Sequence, residues 1–267
     1  MNPSLISSGS RRSETPETPG LLMEKLQLVQ FEWVEDSNQW VLPNDSLERL
    51  VNPQNVHAEL IRMPSSRSMS ADDLQRYIRD ICGTRKKLFA ILICGWGDRS
   101  TWYKTVLDLV REGITDSDLP FDRVHLMDKS STNRHTRRAY KLCIKGHGKC
   151  SATSASSHGC LVRALYDWRQ GEIDNFSRHQ WMVLSPVFRK KVGEIPYYEF
   201  EETVLMPFTE DFERTPQLLT GGYSEVWPVR ICPGHQDIYK SPGFQVSATL
   251  IAGEDQLLTT NRTKNLC

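Results

Sequence analysis

The 267-residue chain has no net charge to act through, since 33 Lys/Arg balance 33 Asp/Glu. No overall field draws it to nucleic acid or to an anionic membrane surface, and nucleic acid is not expected as a partner. It also lacks a long apolar run. The longest, Leu88 to Cys94, falls far short of the roughly 20 residues that cross a bilayer, so no membrane partner is expected. The opening MNPSLISSGSRRSETPETPG has no apolar stretch behind its charges and does not read as a secretory signal. Seven cysteines without such a signal read as reduced thiols in an intracellular protein, cytoplasmic or nuclear. The Asn-x-Ser/Thr triplets at Asn44, Asn175 and Asn261 are then chance matches. There is no G-x-S-x-G elbow, no H-E-x-x-H and no repeat of fixed period, which removes the usual signatures of serine hydrolases, zinc proteases and solenoids.

What is present suits a globular protein: 39% hydrophobic and 25% charged residues. Residues 1–20, rich in Ser, Pro, Thr and Glu, have little to bury and read as a disordered tail. A lead-in at 21–44 carries Phe31, Trp33 and Trp40 without a clean period, and its element type stays undecided. Residues 45–196 read as a mainly helical domain. Asn52-Pro53 is an N-cap followed by proline at the first helical position, leading into Val56, Leu60 and Ile61. Ser70 with Asp73 resembles a capping box ahead of Leu74, Tyr77, Ile78, Ile81 and Cys82, and Gly83 closes that helix. Leu88 to Cys94 is a buried apolar segment, and Trp102, Val106, Leu109 and Val110 mark an amphipathic helix stopped at Gly113.

Between 128 and 157 the pattern dissolves into a basic, mobile loop. Asp128 to Lys149 holds seven Lys/Arg against one Asp, and Glu194 to Arg214 holds seven Asp/Glu against one Arg. These are two solvated faces, or surfaces that attract each other or two partners. Order resumes at Leu161 to Trp168 and through Phe176, Trp181, Val183 and Leu184. Trp33, Trp96, Trp102, Trp168 and Trp181 read as packing residues. EFEETVLMPF reads as a strand ending at Pro207, and LLTGGYSEVWPVRI as two short strands around a glycine turn.

That turn carries a family likeness. Leu218-Leu219-Thr220-Gly221-Gly222-Tyr223-Ser224-Glu225-Val226-Trp227 resembles the G-x-G-x-x-G-x-V loop of protein kinases. Aligned on Val226, Gly221 is the second glycine, Ser224 stands at the third and Leu219 at the first. Upstream, KLFAILI (Lys87 to Ile93), EGITDSDLPF (Glu112 to Phe121), HQWMVLSPVF (His179 to Phe188) and MPFTED (Met206 to Asp211) precede GGYSEVWPVRICPGHQDIY (Gly221 to Tyr239). In that order they resemble the N-terminal extension and first hairpin of fungal protein-kinase-like proteins over most of residues 45–240.

The resemblance implies an α+β architecture: a mainly helical domain, then a short β-hairpin unit at 197–245 like an incomplete kinase N-lobe, and an irregular tail at 246–267. It implies Gly221, Gly222, Tyr223, Ser224 and Val226 as the residues that would meet a nucleotide. No residue is assigned a catalytic or metal-binding role. Kinases hold phosphates with a lysine in a V-A-I-K strand, take the substrate proton with the H-R-D aspartate and hold magnesium with the D-F-G aspartate. After the hairpin the sequence offers only Lys240 and Lys264, neither in a strand-like context, and neither H-R-D nor D-F-G occurs. ATP and magnesium are therefore implied only for a complete homologue, and no cofactor is expected here. The expectation is a non-catalytic regulatory or interaction module whose helical domain meets a protein partner; the alternative is a fragment or mis-spliced product of an active Ser/Thr kinase. Val246-Ser247 is a dipeptide that GTA-AGT, a splice-donor sequence, would encode, so the tail is either intron read-through or an ordinary truncated end.

Cys143, His147, Cys150, His158 and Cys160 could supply one tetrahedral zinc, but their spacing matches no usual ligand pair and Lys and Arg surround them. Chance clustering in a polar loop is the preferred reading. A two-stranded hairpin is marginal without a third strand or a packed helix, so residues 215–245 are expected to be cut first by protease.

Overall fold

The computed structural model describes residues 21–33, 36–63, 69–95, 99–127, 138–144, 161–189, 198, 200, 203–211, 224–227, 229–237, 250–253 and 265–266. The architecture is α+β, with helices around one core and small antiparallel sheets beside it.

The undecided lead-in is ordered. It forms helix α1 (Leu22–Val29) and strands β1 (Phe31–Trp33) and β2 (Asp36–Val41), and it places Leu22, Leu26 and Leu42 in the core. Helix α2 (Asn44–Leu50) follows Pro43, which offers no side-chain cap. Helix α3 (Pro53–Leu60) starts as its sequence predicts, with Asn52 accepting the Asn55 N–H at 3.0 Å. Helix α4 (Ala71–Thr84) is capped by Ser70, whose hydroxyl accepts the Asp73 N–H at 3.1 Å. Its buried face is Tyr77, Ile78 and Ile81, flanked by Leu74 and Cys82, and it runs one residue past Gly83.

The apolar run becomes helix α5 (Lys86–Gly95), in which every residue from Leu88 to Ile93 is buried. A helix apolar on all sides belongs at the centre of a bundle, and α5 packs against α1, α2, α4, helix α6 (Arg99–Glu112) and helix α7 (Gln170–His179). Phe89 meets Trp102 edge-on with ring centroids 5.7 Å apart. Helix α6 ends in a Schellman motif: Gly113 takes φ +79°, its N–H donates to Val110 O at 3.1 Å, and the Ile114 N–H donates to Leu109 O at 3.0 Å.

Strands β3 (Phe121–Met127) and β4 (Arg138–Ile144) pair antiparallel in unbroken register, from Phe121 opposite Ile144 to Met127 opposite Arg138. The reading of 128–157 as loop throughout is thus corrected for 138–144. Its strand pattern, with Tyr140 exposed and Leu142 buried, was hidden by the density of Lys and Arg. The rest of 128–157 lies outside the described residues.

In the C-terminal unit, β5 (Phe208–Asp211) starts after Pro207, where a strand had been expected to end. Val204 to Met206 form no strand, and Leu205 and Met206 are buried by packing, not by pairing. The run SEVWPVRI is divided into β6 (Ser224–Trp227) and β7 (Val229–Ile231), on either side of Pro228. Proline has no N–H for a ladder, which accounts for the division. Strand β7 pairs with β5, Phe208 opposite Ile231. Strand β6 pairs with β8 (Leu250–Gly253), which in turn pairs with β9 (Asn265–Leu266). The tail read as irregular therefore supplies two short strands, and Leu250-Ile251-Ala252 provides the apolar residues for the first.

Candidate functional site

The glycine-rich stretch is only partly on view. Gly221, Gly222 and Tyr223 lie outside the described residues, as do Leu218 to Thr220, so a hairpin around the glycines is not described. Ser224 and Val226 sit in β6, where Ser224 faces Gly253 and Val226 faces Ile251 across the ladder. Of the Cys/His cluster, Cys143 is buried in β4 with its Sγ 3.7 Å from Ile144 O; His147, Cys150, His158 and Cys160 lie outside the described residues. Among the described residues no group of His, Cys, Asp or Glu is arranged to hold a metal.

Long-range side chains serve backbone groups throughout the structure. The Asp116 carboxylate accepts the Lys87 and Leu88 N–H groups at 3.0 and 2.9 Å, capping α5 from 29 residues downstream. Burial raises the Asp116 carboxyl above its ordinary range, opposed by those two hydrogen bonds and by Lys87. Glu112 accepts the Arg163 and Ala164 N–H groups, both at 2.8 Å. The buried Gln180 amide pairs with Phe121 as a strand would, accepting its N–H at 2.9 Å and donating to its carbonyl at 3.1 Å. His235 caps α2: its Nδ1 donates to Pro186 O at 3.0 Å, so its Nε2 is free to accept the Asn44 N–H at 3.1 Å.

A cleft of about 340 Å³ opens where the C-terminal ends of α1, α5 and α7 approach β2. Gln27 comes from α1 and Gln30 is its C-cap, Cys94 comes from α5, Arg178 and His179 from α7, and Asn38, Gln39 and Trp40 from β2. Met182 and Leu205, both buried, complete it. The strand is irregular here: Glu32 lies opposite Trp40 and Trp33 opposite Asp36, so residues 37–39 bulge within a single step of β1. Bulges re-aim side chains, and this one supplies Asn38 and Gln39 to the cleft.

Among the described residues, nothing in the cleft is prepared for nucleophilic chemistry. Burial pushes the Cys94 thiol up to about 12, against a weaker downward pull from the Gln30 hydrogen bond, so it stays protonated. Burial also lowers His179, whose Nδ1 donates to Asn175 O at 2.9 Å; the ring is neutral at pH 7 with Nε2 as acceptor. The Asn175 amide in turn donates to Gly95 O. Sequence reasoning missed this cleft because five separated segments build it and none carries a motif. Trp40, an aromatic after the four polar residues that open β2, was the one signal.

No protein-family model, no curated protein and no solved structure matches the chain. Among the described residues no helix is long and apolar enough to cross a membrane.

Proposed function

We propose that the chain is a non-catalytic regulatory or interaction module related to Ser/Thr protein kinases, with Gly221, Gly222, Tyr223, Ser224 and Val226 as at most a vestigial ATP contact. The observation that carries this reading is the sequence of the C-terminal unit: a kinase-like glycine run stands in 267 residues that hold no H-R-D, no D-F-G and no V-A-I-K lysine. Phosphoryl transfer needs the base, the metal ligand and the phosphate lysine together. The turn after β7 is tied to α2 through His235 and Asn44, which joins the C-terminal unit to the helical domain. The partner would be a protein that meets the helical domain. Cys82, Cys94, Cys143 and Cys232 are free thiols, which accords with an intracellular setting.

The second reading, an active kinase of which this chain is a piece, draws on the same glycine run. Phosphoryl transfer decides between them. With ATP and magnesium or manganese, the chain should label neither itself nor a generic Ser/Thr substrate above a Gly221→Asp control. Transfer above that control would favour the kinase.

A further inference from the structure

We infer that the outer edge of β3 takes up an extended acidic segment of a partner protein as a third strand of the β3–β4 sheet. This deepens the reading of the chain as a protein-binding module, and rests on that reading only for the partner being a protein. The direction of the main-chain groups comes first. In an antiparallel pair, residues bonded across the ladder alternate with residues whose N–H and C=O point away from it. Phe121 is of the second kind, since both its groups go to the Gln180 carboxamide, at 2.9 and 3.1 Å. Arg123, His125 and Met127 follow in the same phase. Strand β4 agrees from its own side: the Tyr140 N–H goes to Gln170 Oε1 and the Leu142 carbonyl accepts the Val162 N–H. Those two residues stand opposite His125 and Arg123.

The two edges of this sheet differ. That of β4 is met by Val162, by Gln170 and by an antiparallel bridge between Cys143 and Leu161. That of β3 is met at one rung, where the Gln180 amide, chemically a peptide group on a side chain, binds Phe121 as a neighbouring strand would. One residue pair further on, Arg123 is exposed, and no described residue bonds its main chain on the outer side. Unpaired N–H and C=O groups in a row are a template for another chain. The β3–β4 register is unbroken over seven pairs, so no bulge turns the edge away, and a two-stranded sheet gains stability from a third strand.

Charge selects the kind of strand. Arg123 reaches Asp174 at 2.6 Å and lies 4.6 Å from the centre of the Tyr140 ring. From Phe121 to Lys141 the sequence holds six Lys/Arg and two Asp. With Asp174 set against Arg123, positive charge is still in excess. Asp122, the acid within β3, alternates to the face away from Arg123. A strand laid beside β3 therefore gains from carboxylates on its Arg123 side, where opposite charges across neighbouring strands attract and like charges repel. Apolar, β-branched residues suit the alternate positions.

The test uses the full isotope-labelled chain and a capped hexapeptide alternating Glu and Val, whose carboxylates share one face of a strand. By NMR titration the peptide should bind at low salt with a dissociation constant below about 1 mM. It should slow exchange of the Arg123 and His125 amides with water by about tenfold or more. The counterpart alternating Lys and Val should not bind. Two further peptides carry N-methyl groups on the Glu amides or on the Val amides; one set faces β3, so one peptide should lose binding and the other keep it. His125→Pro removes an outward N–H that the β4 ladder does not use. It should melt like the parent yet bind about tenfold more weakly. Arg123→Gln should weaken binding about threefold or more and flatten its salt dependence.

The inference is overturned if the acidic peptide does not bind, if the two N-methylated peptides behave alike, or if His125→Pro binds like the parent. Slow exchange of both amides in the free, dilute chain would mean that the edge is already covered, and protection that rises with chain concentration alone would make a second copy the occupant; either overturns it. Protection by a single-stranded oligothymidylate, with none from the acidic peptide, would mark a nucleic-acid surface and overturn it as well. Failure of the module reading stays distinguishable: phosphoryl transfer counts against the module whatever the peptide does, and lost peptide binding without transfer counts against the β3 edge alone.

Discussion

His235 Nε2 accepts the backbone N–H of Asn44 at 3.1 Å, closing a contact across 191 residues of chain. The imidazole is 1% exposed, and it supplies the cap that Pro43 cannot give to α2. Replacing it leaves the Asn44 N–H and the Pro186 carbonyl without their partners in a partly buried place. His235→Ala should therefore cost about 2–4 kcal/mol, two unmet groups at one to three each, less what water recovers. A urea titration would show this as a lower midpoint. An unchanged midpoint would mean that the cap is dispensable.

The same histidine sets a pH dependence. Burial lowers His235 below 6.5, outweighing upward contributions from its Pro186 and Leu42 carbonyl contacts and from Asp45, while Lys87 lowers it further. His179 is lowered as well, first by burial. A depressed imidazole is neutral in both states above 6.5; below that value the unfolded chain takes up a proton that the folded one refuses. Stability should thus fall as pH drops from 6.5, by up to about 1.4 kcal/mol per pH unit for each ring until its folded value is reached. Asp116 runs the other way, since burial raises its carboxyl above 3.8 and acid favours its folded form. NMR should find two imidazoles titrating below 6.5, and their absence would refute the assignment.

Gly234 lies against α2 so closely that a Cβ there would fall inside the Asp45 carboxylate. Asp45 is itself exposed, with its Oδ1 accepting the Ser46 N–H at 2.7 Å. Gly234→Ala should force that exposed, flexible carboxylate aside at a cost of about 0.5–1 kcal/mol, below the range for overpacking a core. Adding Asp45→Ala should restore most of the loss. A double-mutant cycle measures the coupling, and additive effects would contradict the contact.

What could be read from the chain was whatever is encoded locally. Asn52-Pro53, Ser70 with Asp73, and Gly113 each act within a few residues, and α3, α4 and α6 begin or end close to where those signals stand. The start of α5 has no local cap; Asp116 supplies it from another segment, as His235 does for α2. A spacing of 28 or 191 residues leaves no periodic trace. Strand β4 was obscured for a different reason, since Arg138 and Lys141 gave its strand pattern the look of a polar loop. The cleft is the extreme case, because Gln27, Asn38, Cys94 and Arg178 come to line one space only after folding.

The C-terminal unit brings the clearest change of expectation, and it leads to the last prediction. Taken as an isolated two-stranded hairpin, residues 215–245 would be marginal in water and first to be cut. The described part of that unit is not isolated. Ile231 and Cys232 are buried, the Cys232 N–H donates to Pro207 O at 2.8 Å, and Ile231 pairs with Phe208. Phe188 donates its N–H to His235 O at 2.8 Å and accepts from the Asp237 N–H at 2.9 Å, a parallel bridge to the end of the helical domain. A protease acts on chain that has locally opened, so the ease of opening governs cutting. Opening β7 would break the β5 ladder, the Phe188 bridge and the α2 cap together. Trypsin should therefore cleave after Arg230 no faster than after Arg79 or Arg111 in helices α4 and α6, as followed by mass spectrometry over time. Early cleavage at Arg230, ahead of the helical sites, would show that 229–237 opens independently and that the His235 cap does not hold the unit in place.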